Sequence, residues 1–454
     1  MLGRVDASTA LLTDRYEITM IDAALRAGTH ERRSVFEVFA RSLPRGRRFG
    51  VVAGTGRLLD AISRFRFGDS ELAYLAENRV VAPETLDWLA GYRFTGTITG
   101  YREGEVYFPN SPILTIESGF AEGVVLETLA LSVLNYDSAI ASAAARMVSA
   151  ARGRPLAEMG SRRTGERSAV AAARAAYIAG FGATSNLEAG RTWGVPTMGT
   201  AAHAFTMLHD SEEEAFRAQV DALGAGTTLL VDTYDVPRGV ATAAAVAGPQ
   251  LGAVRLDSGD LLTLVAEVRR QLDDLGNAAT RITVTNDLDE YAIAALAAAP
   301  VDSYGVGTSL VTGSGHPASG MVYKLVSREG ADGTMVSVAK KSAEKATHGG
   351  RKRPVRELDA SGVAVAEAVY VGGPGASAAA SGDVFDHPGR ELRVPLMTGG
   401  VADERMLGPA GVVAAREHHA GVLAELPAEA FRLAAGDPAI PTEFRPYSSS
   451  SSRS

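Results

Sequence analysis

From about residue 155 to about residue 310, short apolar runs alternate with longer segments whose apolar positions recur at helical spacing. The runs are PLAEMG, VPTMGT, TTLLVD, AVRLD, RITVTN and DSYGVG, each starting roughly twenty to forty residues after the last, a workable length for a strand and its crossover helix. That alternation predicts a parallel sheet. The runs end in small, polar or acidic clusters: Gly160-Ser161-Arg162, Gly199-Thr200, Asp232-Thr233, Asp257-Ser258-Gly259, Asn286-Asp287 and Gly305-Val306-Gly307. A closed (β/α) barrel would gather all six ends on one face. An open doubly wound sheet would collect residues mainly at one switch point, so the barrel is the better reading.

Outside this rhythm the pattern changes. Residues 11–27 have helical spacing, with Thr13 and Asp14 as N-cap candidates. VFEVFARSL reads as a strand, FGVVAGTGRLLDAI as a strand or turn leading into a helix, and 94–118 as short strands punctuated by Gly, Pro and Asn. One or two alanine-rich helices follow, over about 122–151. After about residue 338 short strands, turns and alanine-rich filler predict an appendage that folds back on the first domain. The expected organisation is an N-terminal domain over 1–118, a catalytic barrel over 119–338, a C-terminal segment over 339–446 and a low-complexity, disordered tail over 447–454.

Composition narrows the classes. The 454 residues are 46% hydrophobic and 22% charged, which reads as globular, and the absence of cysteine removes disulfides, thiol chemistry and cysteine-based metal sites. The N-terminus lacks an apolar signal core, and no uninterrupted apolar stretch has the length of a membrane helix, so a cytoplasmic enzyme fits. A net charge of −8 argues against a general nucleic-acid binder. The basic run KKSAEKATHGGRKRPVR is either a solvated loop or a phosphate-binding segment.

Candidate chemistry collects at the strand ends. GVGTSLVTGSG follows an apolar run and could cradle a phosphate with its backbone amides, although it fits neither a Walker A nor a dinucleotide fingerprint. Arg255, inside the run AVRLD, either pairs with Asp257 or Asp260 or holds an anionic substrate. Asp232, Asp235, Asp257, Asp260 and Asp287 divide between helix caps and water-mediated Mg2+ ligands, with Asp260 the most cap-like and Asp232 and Asp257 taken for the metal. His203 follows Gly199-Thr200 at a strand end, where it is either a helix-start histidine or a catalytic group. Arginines, glycine loops, acids and one histidine suit chemistry on a phosphorylated, anionic small molecule.

Several ordered motifs resemble the nicotinate phosphoribosyltransferases, among the type II phosphoribosyltransferases. They are LLTDRYEITM, the block from EMGSRRTGERS to GVPTMGTAAHAF, LLVDTYDVPRGV, VRLDSGDLL, TNDLDEY, YGVGTSLVTG and a KxSxxKAT-type block at Lys341. The resemblance covers roughly residues 10 to 355 and implies a fold: α/β, an irregular (β/α) barrel with an N-terminal α/β open-faced sandwich and a C-terminal appendage. It also implies a reaction, in which nicotinate and phosphoribosyl pyrophosphate give nicotinate mononucleotide and pyrophosphate, coupled to ATP hydrolysis and assisted by Mg2+, in NAD salvage. His203 falls on the histidine of the family's GTxxH motif, which ATP phosphorylates, and Thr200 ends the strand before it. Arg255 and Arg162 match arginines of the active site, and Tyr16 a tyrosine that approaches the pyridine from the partner subunit of a homodimer. Gly305 and Gly307 fall in the ribose-phosphate loop, and Asp287, Lys341 and Lys345 are assigned to phosphate.

Ser185 stands where nicotinamide-using relatives carry aspartate. A hydroxyl donates to a carboxylate that an aspartate would repel, so nicotinate is favoured. Many relatives have phenylalanine at Met159, and the thioether would be a softer contact for the ring. Two rival readings remain: a quinolinate or nicotinamide phosphoribosyltransferase of the same architecture, and a non-catalytic sugar-phosphate or nucleotide sensor.

Overall fold

The computed structural model describes residues 7–44, 46–339, 348–372 and 389–447. The chain forms two compact units, Met1–Ala139 with Ala318–Ser454, and Ile140–Pro317.

The first unit is built on a seven-stranded antiparallel sheet. Its order is Met335–Ser337, Met321–Glu329, Arg33–Ala40, Leu114–Gly119, Thr97–Tyr101, Arg393–Thr398 and Val401–Ala402. Three central strands therefore come from the beginning of the chain and four flanking strands from its end. Phe36, Val38, Ile98 and Ile116 of the sheet share one core with Ile18 and Ile21 of helix Arg15–Arg26 and with Leu58, Leu59 and Ile62 of helix Thr55–Ser63. Helices on a sheet bury one apolar face of each element, which is why the strand-rich and helix-spaced segments of this region belong to one unit. A second sheet of four strands, ordered Arg390–Glu391, Lys352–Leu358, Ala364–Val371 and Thr442–Pro446, belongs to the same unit.

Asp14 is the N-cap of the first helix, and its backbone N–H donates to Glu17 Oε2 at 3.1 Å. The other oxygen of Glu17 accepts from the Thr128 backbone N–H and the Thr128 hydroxyl, both at 2.8 Å. Glu17 has no exposed surface, and burial outweighs those hydrogen bonds and pushes its carboxyl up to about 7. A carboxyl whose folded pKa lies above its ordinary 4.5 favours the folded state when protonated. That stabilisation is full below the unfolded value and lost as pH rises through about 7, a change of about 3 kcal/mol. Glu17→Gln keeps an oxygen for both Thr128 bonds and does not ionise. Urea midpoints measured between about pH 5 and pH 8 should fall more steeply for the wild type than for this variant. Parallel curves would show that Glu17 stays ionised throughout.

Helices Phe120–Val124 and Glu127–Ala151 follow, close to the span expected for one or two alanine-rich helices. Residues Phe120–Ala151 are long and apolar enough to cross a membrane, and 67% of their most apolar 18-residue stretch is buried, as in the core helix of a globular fold.

The second unit carries six parallel strands in the order Ala183–Thr184, Leu156–Glu158, Ser303–Val306, Arg281–Val284, Ala253–Leu256 and Thr228–Leu230. Read cyclically this is chain order, because the first strand, Leu156–Glu158, pairs with the last, Ser303–Val306. That closure is the mark of a barrel, and an open seam remains between Ala183–Thr184 and Thr228–Leu230. The architecture is mixed α/β with an irregular, curled half-barrel.

The run VPTMGT was expected to be a strand of its own and is not one. It contributes one bridge, Thr197 to Thr184, flanked by Thr184 N–H to Pro196 O at 2.9 Å and Met198 N–H to Thr184 O at 2.9 Å. Pro196 has no N–H to offer a ladder, and after one bridge the chain runs without regular structure to helix His203–Leu208. The strand in that neighbourhood is instead Ala183–Thr184, within FGATSN, too short to show a period in sequence.

Candidate active site

The carboxyl ends of the half-barrel strands carry nearly all the polar groups singled out above. Arg162, Ser185, Thr200 and Arg255 line one cavity of about 700 Å3, together with Met159 and Tyr304. Arg162 lies in a 3-10 turn, Ser161–Arg163, directly after the first strand; it is exposed and has no hydrogen-bond partner among the described residues. Ser185 is exposed at the end of the neighbouring strand, with its N–H on Glu158 O at 2.8 Å and its hydroxyl free among the described residues. A guanidinium and a hydroxyl, both unpaired and facing a cavity, are donors for an anionic ligand.

Arg255 is held more firmly. Its Nε donates to Thr285 Oγ1 at 3.0 Å, its Nη1 to Ala201 O at 3.4 Å, and its Nη2 lies 3.6 Å from Asp257 Oδ2. Both sequence readings of Arg255 therefore meet in one place, since it faces the cavity and has an acid beside it.

His203 is the first residue of helix His203–Leu208. Its Nδ1 is 3.1 Å from Thr233 Oγ1, and its Nε2 points between two carboxylates, 3.9 Å from Asp232 Oδ1 and 3.8 Å from Asp257 Oδ2. Both latter distances are too long for hydrogen bonds. Asp232 is 1% exposed; its Oδ2 accepts from Asp257 N–H at 2.7 Å and Ser258 Oγ at 2.8 Å, while its buried Oδ1 has no partner. An unpartnered, buried carboxylate oxygen is costly unless a cation or donor completes it.

The remaining acids divide differently from expectation. Asp260 occupies the N-cap position of helix Leu261–Asp274, but its carboxylate makes no cap bond and accepts from Thr263 Oγ1 at 2.9 Å. Asp235 is the working cap, accepting from Arg238 N–H at 2.9 Å. Asp287 is exposed beyond its strand, with its N–H on Asn286 Oδ1 at 2.7 Å, and does not line the cavity.

Gly305 lacks a side chain for a packing reason, because a Cβ there would stand 2.7 Å from both Met159 Sδ and Thr285 Cγ2. Gly307 lies directly beyond, at the N-cap of the short helix Thr308–Val311. Lys341 and Lys345 lie outside the described residues. Tyr16 belongs to the first unit, where it is 45% exposed; burial of its hydroxyl, with Glu127 and Glu17 near it, pushes its pKa up to about 12, so it is a hydrogen-bond donor at neutral pH.

Glu158, to which the sequence assigns no role, is fully buried under the mouth. It accepts from the Gly160 N–H and the Thr184 hydroxyl, and burial pushes its carboxyl up. Thr184 Oγ1 in turn accepts from Asn186 N–H at 2.9 Å, and Asn186 Nδ2 donates to Ser161 Oγ at 3.0 Å. These bonds tie the turn that carries Arg162 to the turn that carries Ser185. The signal was an acid in the last position of an apolar strand run, where burial without a role is rare.

Among the described residues no group of three or more His, Cys, Asp or Glu is placed to hold a metal. Asp232 and Asp257 both face His203 Nε2, so a hard cation there would complete its shell with water or substrate oxygens.

Comparisons with known proteins give the family. Residues 11–135 match the model of the nicotinate phosphoribosyltransferase (NAPRTase) N-terminal domain. A nicotinate phosphoribosyltransferase of Mycobacterium tuberculosis (strain CDC 1551 / Oshkosh) is 56% identical over 446 residues, covering 96% of this chain and 95% of its own. The chain belongs to the nicotinate phosphoribosyltransferase family. A nicotinate phosphoribosyltransferase of Bacillus subtilis (strain 168) is 39% identical over 370 residues, 79% of this chain and 75% of that one. The crystal structure of human nicotinic acid phosphoribosyltransferase superposes with a TM-score of 0.78 at 25% identity, covering 95% of this chain and 97% of that one. Members of this family are enzymes acting on small molecules, and this chain is one of them.

Proposed function

We propose that the barrel mouth joins nicotinate to the ribose of phosphoribosyl pyrophosphate and couples the transfer to ATP through phosphorylation of His203. The pyridine nitrogen attacks C1′ of the ribose as the bond from C1′ to the pyrophosphate oxygen breaks, and pyrophosphate leaves with that electron pair. The observation that carries the reading is His203, held at Nδ1 by Thr233 and set at Nε2 between Asp232 and Asp257, beside a cavity lined by Arg162, Ser185 and Arg255.

Arg255 and Arg162 supply positive charge to the pyridine carboxylate, and the Ser185 hydroxyl donates to it. Thr200 borders the same cavity in the segment before His203. Gly307, at the N-cap of Thr308–Val311, lets backbone approach the ribose phosphate, and Gly305, inside the strand before it, makes room for Met159 and Thr285 behind that loop. With Nδ1–H donating to Thr233, the Nε2 lone pair of His203 is free to attack the γ-phosphorus of ATP, releasing ADP. Water later cleaves the phosphorus–nitrogen bond and frees phosphate.

The orphaned Asp232 Oδ1 and the facing Asp257 Oδ2 suit Mg2+, which when bound would neutralise the phosphate oxygens brought against these two acids. Asp287, Lys341 and Lys345 as phosphate contacts, Tyr16 as a ring contact from a partner subunit, and the homodimer that contact requires rest on the family resemblance.

Product formation with nicotinate, nicotinamide and quinolinate, each with and without ATP and Mg2+, tests the reading. Nicotinate mononucleotide should form fastest, and ATP should stimulate it. Faster use of quinolinate or nicotinamide would overturn the assignment. Ser185→Asp should raise the KM for nicotinate by about tenfold or more, since a carboxylate then faces a carboxylate. An unchanged KM would place selectivity elsewhere.

A further inference from the structure

Thr285, the first residue after strand Arg281–Val284, is 6% exposed, and its one hydroxyl makes two bonds of opposite sense. It accepts from Arg255 Nε at 3.0 Å and donates to Asp257 Oδ1 at 2.7 Å. A hydroxyl has one proton to give, and here the carboxylate takes it while the guanidinium takes a lone pair.

Each neighbour is oriented as a result. With Oδ1 of Asp257 engaged, Oδ2 is the oxygen turned toward Arg255 Nη2, at 3.6 Å, and His203 Nε2, at 3.8 Å. With Nε of Arg255 engaged, its two Nη groups face outward, one toward Ala201 O and the other toward that same Oδ2. The methyl group is used separately, since Thr285 Cγ2 stands with Met159 Sδ over the space a Gly305 side chain would fill. Hydroxyl and methyl thus serve different neighbours.

We propose that Thr285 is a positioning residue that couples the two halves of the reaction, holding through one hydroxyl both the arginine that receives the pyridine carboxylate and the aspartate that faces the phosphorylated histidine. This rests on the reading of the site given above. A ligand that draws Arg255 toward the cavity pulls on the oxygen that fixes Asp257, so occupation of the ring site is felt where phosphate chemistry takes place. The direct Arg255–Asp257 contact, at 3.6 Å, is an ion pair too long for a hydrogen bond, so the directional link between the two side chains runs through the Thr285 hydroxyl.

The two functions separate by substitution. Thr285→Val keeps the methyl and removes the hydroxyl, whereas Thr285→Ser keeps the hydroxyl and removes the methyl. The valine variant should raise the KM for nicotinate by about tenfold and increase ATP hydrolysed per nucleotide formed by at least about twofold. The serine variant should stay within about threefold of wild type on both measures. A residue that only packs against Gly305 would give the reverse order. If valine at this position prevents folding, Thr285→Ala compared with Thr285→Ser again differs by the hydroxyl alone. The proposal is overturned if a folded hydroxyl-free variant matches wild type in both KM and coupling, or if serine is as damaging as valine. Wild-type protein that makes no nicotinate mononucleotide would instead overturn the underlying reading, and the coupling role with it.

Discussion

His203→Ala should bring nucleotide formation in the presence of ATP down to the rate without it, a loss on the order of a hundredfold. The size follows from the removal of a nucleophile, whereas its surroundings stay intact. Arg255, Ser185 and Arg162, the side chains proposed to hold the ring, line their cavity without the imidazole, so the KM for nicotinate measured without ATP should barely change. Wild-type protein incubated with γ-labelled ATP should carry an acid-labile, base-stable phosphate, as a phosphorus–nitrogen bond requires, and the alanine variant should carry none. Full ATP stimulation in the alanine variant would remove His203 from the mechanism. Its position between two acids sharpens the expectation. Nε2 faces Asp232 and Asp257 beyond hydrogen-bonding distance, so transfer of a phosphoryl group there needs cationic neutralisation and should disappear when Mg2+ is chelated.

The largest stability effect is expected far from that chemistry, at Arg356→Ala in the first unit. Arg356 has no exposed side-chain surface. Its Nη2 donates to Glu367 Oε2 at 2.6 Å and Val106 O at 3.0 Å, with Glu105 3.8 Å away and the Phe108 ring beneath the guanidinium. Tyr101 adds a hydrogen bond to Glu367 at 2.8 Å. Removing the guanidinium strands a buried carboxylate, at a cost of about 3–5 kcal/mol. The urea midpoint should fall accordingly, and the double variant Arg356→Met/Glu367→Leu should recover much of the loss because no charge is then left buried alone. A shift below about 1 kcal/mol would mean that water reaches Glu367.

Glu105, next in the network, contributes to the same unit's stability in acid. Burial pushes its carboxyl up, but hydrogen bonds from His418 and Arg390, with the Arg356 and Arg390 charges, prevail and hold it at about 2. A folded pKa below the ordinary 4.5 contributes stability that is present above that value and lost as pH falls through about 2.

Much of this was readable from sequence because the barrel repeats. AVRLD and RITVTN gave strands at Ala253–Leu256 and Arg281–Val284, and their following residues, Asp257 and Thr285, stand side by side because parallel strands in register bring equivalent ends together. What failed did so where periodicity is too short to measure. Ala183–Thr184 is two residues long, and VPTMGT reads as a strand until Pro196 is considered as a missing donor. The supporting polar groups were also hidden. Glu158, Thr233 and Thr285 are ordinary residue types whose roles come from partners distant in sequence, such as Arg255 for Thr285, 30 positions away. Asp260 and Asp235 show the same limit, for both precede helices and only the backbone geometry decides which one caps.

The interrupted sheet of the first unit has a consequence for how the chain emerges from the ribosome. Its three central strands are complete once Gly119 is made, but both neighbours that cover them, Met321–Glu329 and Arg393–Thr398, are still untranslated. About 210 residues must follow Gly119 to finish the first of these strands and about 280 to finish the second, a delay of roughly 10–60 seconds at ordinary elongation rates. During that interval Arg33–Ala40 and Thr97–Tyr101 present bare edges, the arrangement most prone to pair with a second nascent chain. Residues Ile140–Pro317, contiguous in sequence, need nothing made later to complete their own strand order. The barrel is therefore finished first, while the half of the protein that was translated earliest waits longest for its partners and has the greatest need of a chaperone.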